Sequence, residues 1–460
     1  MSRSSVPNRT EILKLKFTQS IGLPFQKLLP ESQIEQAIKE LSIKYRHRLF
    51  DPFVTLWAFL SQVLDVDKSC HNTVSRVIAW LATENVEIPS TDTSAYCQAR
   101  KRLPEQLLQK LFEESGESLE IMVTPEHLWC GRHVQVIDCS TVSMPDTLEN
   151  QKSYPQSNSQ KLGCGFPIAK IGVLFSLATG AAIALVIDVL NTNDIKLARR
   201  LYQFLKPFDV LLGDSAFCSY ADFLEICRCN CDAVIRKHNS RCQKLKGGVI
   251  VGQNDKIVTW HKPRTRPKAL TLEEFAALPK MLQVREISDL INISGFRTQS
   301  VSLITTLLDT DAFPTHALTQ LYRDRWDVEL DLKHLKTTLG MDILRSKTPA
   351  MIRKEIYAFL LAYNLLRSVM WDAGTTYGTP PLRLSLQGTR HHLRHFLPQL
   401  KSVPSPQRDC VYSTLLKVIV HKAVPKRPQR VEPRVKKRRP KTYPYMSVPR
   451  SFLRKKLMVA

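Results

Sequence analysis

The sequence predicts an α/β protein with an all-helical N-terminal domain, a mixed-sheet core interrupted by a β-rich insertion, and a basic C-terminal tail. Three observations predict it. Apolar residues recur at spacings of three and four through residues 1–125, with no strand-like alternation. Short apolar runs then alternate with helical stretches from His133 to Arg236. Finally, Lys422–Lys456 carries 14 Lys or Arg against the single Glu432, interspersed with six prolines. The 460 residues are 43% hydrophobic, enough for a sizeable core. Lys and Arg total 66 against 42 Asp and Glu, a net charge of +24. That excess argues against a basic partner or a cationic substrate and points to a polyanion, above all nucleic acid.

Residues 1–125 read as a helical DNA-binding domain, with helices expected at Ile34–Leu41, Phe53–Val63, Val74–Leu81 and Leu107–Met122. Lys44, Arg46, Arg48, Arg76 and Arg100–Arg102 punctuate them as basic faces suited to a DNA end. In residues 126–236 the order is strand His133–Asp138, strand Ile168–Ala178, a turn at Thr179-Gly180, strand Ala181–Val189 and helix Asp194–Leu205, capped by Asn193 or Asp194. Strand Phe208–Gly213 then ends at Asp214, followed by helix Tyr220–Cys227 and strand Ala233–Arg236. Three strands, helix, strand, helix, strand is the order of a ribonuclease H-like domain, so 126–236 is expected to be the first part of such a core.

Residues 237–312 carry strand-like pieces at Gly248–Val251, Lys256–Trp260, Met281–Ile287 and Val301–Leu308 between polar turns, the expected insertion. Helical periodicity returns over Thr315–Leu339 and Pro349–Trp371, making 313–372 the second part of the core. Residues 373–460 read as short helices near Pro381–Pro398 and Cys410–His421, followed by the basic tail, which is expected to be disordered or to fold on a partner. No apolar run approaches the roughly 18 residues of a membrane span, and the N-terminus lacks a signal-peptide pattern, so a soluble, cytoplasmic protein with no membrane partner is expected.

The 11 cysteines fit reduced thiols rather than a disulfide framework. Cys227, Cys229 and Cys231, with His238 and Cys242, could be assembled into a zinc site. Their spacing lacks the usual C-x₂₋₄-C pairs, and the bland reading as small hydrophobes at a helix-to-strand junction is favoured.

The chemistry concentrates on the helix LYRDRWDVELDLKHLKTTL, Leu321–Leu339. At about 100° per residue, Tyr322, Arg325, Glu329 and Lys336 share a sector of roughly 60°, with Trp326 and Lys333 flanking it and an apolar stripe alongside. The ordinary reading of such a stripe is a surface ion-pair row, where Arg325 and Glu329 would stabilise the helix by only about 0.2–0.5 kcal/mol. Position argues otherwise. Asp138 ends the first core strand and Asp214 the fourth, which lie side by side in a ribonuclease H-like sheet. A helix packed across them would add Glu329, and three converging carboxylates repel one another unless a cation intervenes. All-oxygen donors select Mg²⁺ or Mn²⁺, and two such ions per site suit in-line phosphoryl transfer. Arg325 and Lys336 would grip DNA phosphates. Asp146, Asp188 and Asp194 read as structural carboxylates. Trp260 and Trp326 could stack on an extruded base, though core of the insertion is the better reading for Trp260.

Tyr322-x₂-Arg325-x₃-Glu329-x₆-Lys336 resembles the Y-R-E-K signature of the insertion-sequence-4 family of bacterial DDE transposases. Asp214-Ser215-Ala216-Phe217 is similar to that family's segment around its second aspartate, and VIDCST around Asp138 to the first. The resemblance spans about Trp129 to Trp371. It implies a ribonuclease H-like core with a β insertion between the second Asp and the Glu, and cut-and-paste transposition through DNA hairpin ends. It also implies catalysis in a homodimeric synaptic complex on double-stranded DNA, with terminal inverted repeats and target DNA as partners in a bacterial cytoplasm. Asp138, Asp214 and Glu329 would be the catalytic, metal-holding set. Tyr322, Arg325 and Lys336 would contact phosphates near the cleaved end. The alternative is a catalytically silent DNA-binding protein derived from a transposase, against which the intact carboxylates argue, since they would weaken polyanion binding. A ribonuclease H-like hydrolase without strand transfer is a third reading, disfavoured by the insertion and tail.

Overall fold

The computed structural model describes residues 6–17, 25, 27–46, 48–84, 86–242, 245–267, 270–290, 300–424 and 444–459; the side chains of 326–329 lie outside it. Two compact units emerge. The first joins residues 1–123, 179–183 and 331–424; the second joins 124–178, 184–330 and 425–460.

The first unit is helical. Its N-terminal helices are α1 (Val6–Phe17), α2 (Glu31–Glu40), α3 (Pro52–Leu64), α4 (Cys70–Ala82), α5 (Ser94–Arg102) and α6 (Glu105–Ile121). Helix α3 is apolar all round and buried from Pro52 to Val63. It starts where Asp51 accepts the Val54 amide at 2.8 Å and proline occupies the first turn. Helices α1 and α5 had no counterpart in the sequence reading. In α5 only Tyr96 and Ala99 turn inward, too few to show a period.

The expected self-standing domain of 1–125 is joined by C-terminal helices. The long α12 (Pro349–Thr376), capped by Thr348 and buried almost throughout, packs on α3, α6, α13 (Leu386–Ser402) and α14 (Ser405–Val420). The 179–183 strap is fastened to it. The Asn364 side chain accepts the Ala182 amide and donates to the Ala182 carbonyl and to Ser115, each at 2.9 Å, and Tyr363 donates to the Gly180 carbonyl at 2.8 Å. Gly180 is required there, because it sits at φ 68° and a Cβ would meet the Arg367 guanidinium at 2.8 Å.

The second unit is built on a nine-stranded sheet in the order β3-β2-β1-β4-β5-β9-β8-β7-β6. Its first five strands are β1 (Val134–Ser143), β2 (Ile168–Ser176), β3 (Ala182–Val189, entering from the strap), β4 (Val210–Gly213) and β5 (Asp232–Arg236). β1 runs antiparallel to β2 and parallel to β4, which runs parallel to β5. Helix α7 (Leu148–Ser153) follows β1. Helix α8 (Asp194–Leu201) follows β3 and is capped by Asn193, not Asp194; helix α9 (Tyr220–Arg228) follows β4, capped by Ser219. The buried Asp222 of α9 is satisfied by Arg199 of α8 at 2.8 and 3.0 Å.

The insertion is not a separate sheet. β6 (Leu245–Gly252), β7 (Asp255–His261), β8 (Met281–Leu290) and β9 (Ser300–Thr305) form an antiparallel ribbon, with α10 (Leu272–Ala276) between β7 and β8. β9 pairs with the free edge of β5 and so extends the core sheet. Trp260 of β7 is 1% exposed and packs edge-on against Tyr220 and Phe223 of α9, a core residue of the insertion.

Most of the tail, 425–443, lies outside the described residues. Its end departs from the expectation of disorder: Arg450–Val459 forms helix α15, whose apolar and basic residues alternate at helical spacing. Among the described residues no helix is long and apolar enough to cross a membrane, and all eleven cysteines are free.

Candidate active site

The apolar run of β1 leads to Asp138, which lies mid-strand because β1 continues to Ser143 in its pairing with β2, where the sequence reading ended it at Asp138. The run of β4 leads to Asp214, just past its last residue. The β1/β4 register pairs Val134 with Val210, Gln135 with Leu211 and Val136 with Leu212. Carried two residues further, it sets Asp138 beside Asp214. The β4/β5 register pairs Gly213 with Ile235, so its next step sets Arg236 beside Asp214. Neighbouring residues in register share a face of the sheet, which gives a row of two acids and a guanidinium across three parallel strands. Asp138 accepts the Cys139 amide at 2.8 Å. Asp214 caps the short 3₁₀ turn Ser215–Phe217 by accepting the Ala216 amide at 2.7 Å. Both carboxylates bear on Cys139. Burial, then Asp194, Asp138 and Asp214, push its thiol up to about 12, with Lys170 opposing.

Helix α11 (Thr315–Lys333) carries the rest of the sequence-predicted site. Its start is held from the insertion. Arg285 of β8, buried beside Asp255 of β7 at 2.8 Å, donates to the Phe313 carbonyl at 2.7 Å and to Thr315 at 3.2 Å. One turn on, Tyr322 is 3% and Arg325 7% exposed, with the Arg325 guanidinium stacked 5.3 Å over the Tyr322 ring. An exposed ion-pair row is therefore not what these two residues form. Burial raises the Tyr322 hydroxyl above its ordinary range; Arg325 and Arg236 oppose the shift and Asp214 adds to it. The structure thus brings Tyr322, Arg325 and Arg236 into the electrostatic neighbourhood of Asp214.

The remaining positions divide. Glu329 and Trp326 lie on α11, their side chains outside the described residues. Lys333 is exposed at the helix end. Lys336 is half-buried in a π-helical turn, His334–Thr338, closed by a Leu339 amide to His334 carbonyl bond of 2.9 Å. That wider turn shifts Lys336 off the phase drawn at 100° per residue. Asp331, which ends the helix's buried face, is paired with the buried Arg367 of α12.

Of the competing carboxylates, Asp188 pairs with Arg200 at 2.9 Å, Asp194 with Lys170, and Asp146 accepts from Gln151. Cys242 of the candidate zinc set faces Cys218 at 3.5 Å. Among the described residues, no three His, Cys, Asp or Glu side chains gather to hold a metal. The donor set formed by Asp138 and Asp214, oxygen-only and side by side in register, suits a hard divalent cation.

The "Transposase DDE domain" family matches residues 129–365, a span that contains both aspartates, Arg236 and all of α11. The chain belongs to the DDE transposase family. It is an enzyme of DNA strand cleavage and transfer. The "Insertion element 4 transposase N-terminal" family matches residues 20–113, a span that holds α2 to α5 and the start of α6. Among curated relatives, the transposase InsG of insertion sequence element IS4 from Escherichia coli K12 is 25% identical over 418 residues, covering 88% of this chain and 89% of InsG. The putative transposase InsL of IS186A, from the same organism, is 37% identical over 68 residues, 15% of this chain and 18% of that protein. A solved synaptic complex of piggyBac transposase with hairpin DNA covers 90% of this chain and 85% of that one, at 10% identity and a TM-score of 0.41.

Sequence reasoning passed over Arg236 and Arg285. Arg236 ends β5 as Asp214 ends β4, a signal that a strand-end reading could have used. Arg285 stands in an alternating strand with nothing local to mark it.

Proposed function

We propose that this DDE transposase moves an insertion sequence by cut-and-paste transposition, with Asp138, Asp214 and Glu329 as the catalytic carboxylates of a ribonuclease H-like core. The observation that carries the reading is the register setting Asp138 beside Asp214 on adjacent parallel strands, within the strand order β3-β2-β1-β4-β5. Asp138 and Asp214 would hold divalent ions from the sheet and Glu329 from α11; a bound pair of Mg²⁺ or Mn²⁺ ions would supply activation of the attacking water or 3′-hydroxyl and stabilisation of the departing oxygen. Arg236 offsets the repulsion between the acids. Arg325, its plane fixed on Tyr322, presents a fork that matches a phosphate near the cleaved bond. Lys336, Lys333 and Trp326 contact the DNA further along. The substrates are terminal inverted repeats and target DNA in the bacterial cytoplasm, brought together by a homodimer. The 88% coverage by the IS4 transposase InsG supports the class of element.

The test uses duplexes bearing the inverted repeats that flank the reading frame. The wild-type chain cuts them in Mg²⁺ and not in EDTA. Asp138→Ala, Asp214→Ala and Glu329→Gln each abolish cutting while binding persists, because loss of one ligand disrupts both ions' geometry. Robust cutting by any of the three removes that residue from the set. Wild-type binding with no cutting in Mg²⁺ or Mn²⁺ would instead mark a silent DNA-binding descendant.

A further inference from the structure

A second feature of the sheet-bearing unit is a groove of about 630 Å³ walled by α8, α9 and the insertion. Four cations, Lys196, Arg199, Arg241 and Arg264, line it together with His261, and no Asp or Glu does. Three cavities in the helical unit each have a carboxylate in the wall, Asp65 in one, Asp51 in another, Glu87 and Asp92 in a third, although the one with Asp51 is also lined by Lys44, Arg46, Arg48 and Arg102. Arg199 is neutralised from beneath by buried Asp222. Lys196, Arg241 and Arg264 are exposed, so about three positive charges face one channel without compensation from its walls.

The groove reaches the turn that Asp214 caps. At one end Lys196 stands in the first turn of α8, two residues from Asp194, which acts on Cys139 together with Asp138 and Asp214. Elsewhere along it Arg241 donates to the Ala216 carbonyl at 2.8 Å and to the Cys218 carbonyl at 3.3 Å, in the turn that Asp214 caps. The aromatic floor is closed: Trp260 is buried and the Tyr220 hydroxyl donates to the Pro279 carbonyl at 2.8 Å. The third ring in its walls, half-buried Phe275, has the Lys262 ammonium 4.6 Å from its centre, so cations spaced along the walls suit a phosphate backbone.

We propose that this groove holds the sugar-phosphate backbone of duplex DNA beside the bond that is cut, as a sequence-independent track leading to the Asp138/Asp214 pair. The proposal rests on the transposase reading above for the identity of its polyanion.

The test is the salt dependence of binding by the full chain carrying Lys196→Gln and Arg264→Gln together, on a 30-bp duplex bearing the flanking inverted repeat and on a 30-bp duplex of arbitrary sequence. Both residues are exposed, and glutamine is a good helix former at position 196, so thermal melting should be unchanged. Each lost phosphate contact lowers the slope of log affinity against log salt by about 1, so the pair should lower it by about 2. Equal loss on both duplexes supports the track, whereas loss on one duplex alone marks a sequence-dependent contact and overturns it. An unchanged slope on both duplexes, with wild-type cutting intact, overturns the groove and leaves the transposase reading standing. An equal loss from a control pair, Lys152→Gln with Lys161→Gln, reduces the effect to net charge and also overturns it. A wild-type chain that neither binds nor cuts either duplex removes both readings together.

Discussion

An arginine 7% exposed and stacked on a tyrosine ring has lost most of its rotamers before any substrate arrives. That is the state in which a planar fork is most useful for holding a phosphate, and most expensive to replace by a flexible ammonium. Arg325→Lys should therefore slow cutting by roughly 10- to 150-fold, the loss of one charge-assisted bond of about 1.5–3 kcal/mol, while DNA binding at low salt stays near wild type. Lys336→Ala should slow cutting with little change in melting temperature. A cleavage time course beside a melt of the same two variants checks both, and normal cutting leaves neither a role at the phosphate. Cys139 offers a pH readout of the same corner. A thiol pushed up to about 12 stays protonated at pH 8, so iodoacetamide should label exposed Cys410 and spare Cys139 in the native chain. The sign for stability follows: a raised pKa contributes stability that is intact below about pH 9 and lost as pH climbs toward 12. Peptide mapping after labelling decides it, and early labelling of Cys139 would contradict the crowded carboxylates. Asp138 and Asp214 were legible because an acid closing an apolar run is conspicuous in sequence. Arg236 becomes notable only once the β4/β5 register is known, and the π turn that carries Lys336 leaves no mark in a 3.6-residue period.

At the scale of elements, short apolar runs bounded by turn residues made the strands visible, and Asn193 marked the start of α8, whereas the Ser219 and Thr348 caps emerge only in the structure. What such runs cannot carry is the edge to which a strand adds. The insertion therefore read as an interruption, whereas β9 docks on β5 and continues the core sheet. The consequence reaches α11, since Arg285 and Asp255 of the added strands anchor its first turn. Arg285→Leu strands a buried carboxylate and should cost about 3–5 kcal/mol in urea unfolding, and Arg285→Leu with Asp255→Leu should recover much of that. Cutting should remain impaired in the double variant even when its stability returns, because the start of α11 loses its fixed partners at Phe313 and Thr315. Full recovery of both properties would mean that the pair serves stability alone.

At the scale of the whole molecule, charge is the property composition reveals and folding leaves in place. Removing residues 425–460 takes away 13 Lys or Arg and one Glu, about half of the chain's net charge of +24. The cut falls beyond the last tie of the helical unit, the Val424 amide donating to the Arg383 carbonyl at 2.7 Å, so the truncated chain should melt as the intact one does. If the tail works by counterion release, the slope of log affinity against log salt should flatten by about 0.9 for each phosphate contact it made. The flattening should be the same on repeat-bearing and arbitrary duplexes, since lysines and arginines without a fixed frame read charge and not sequence. The rate of cutting at saturating DNA should be unchanged, because Asp138, Asp214 and α11 lie outside the deleted span. A slope that does not move would show that the tail stays clear of DNA. A slope that falls only on repeat-bearing duplexes would show that the helix Arg450–Val459 recognises the element's end.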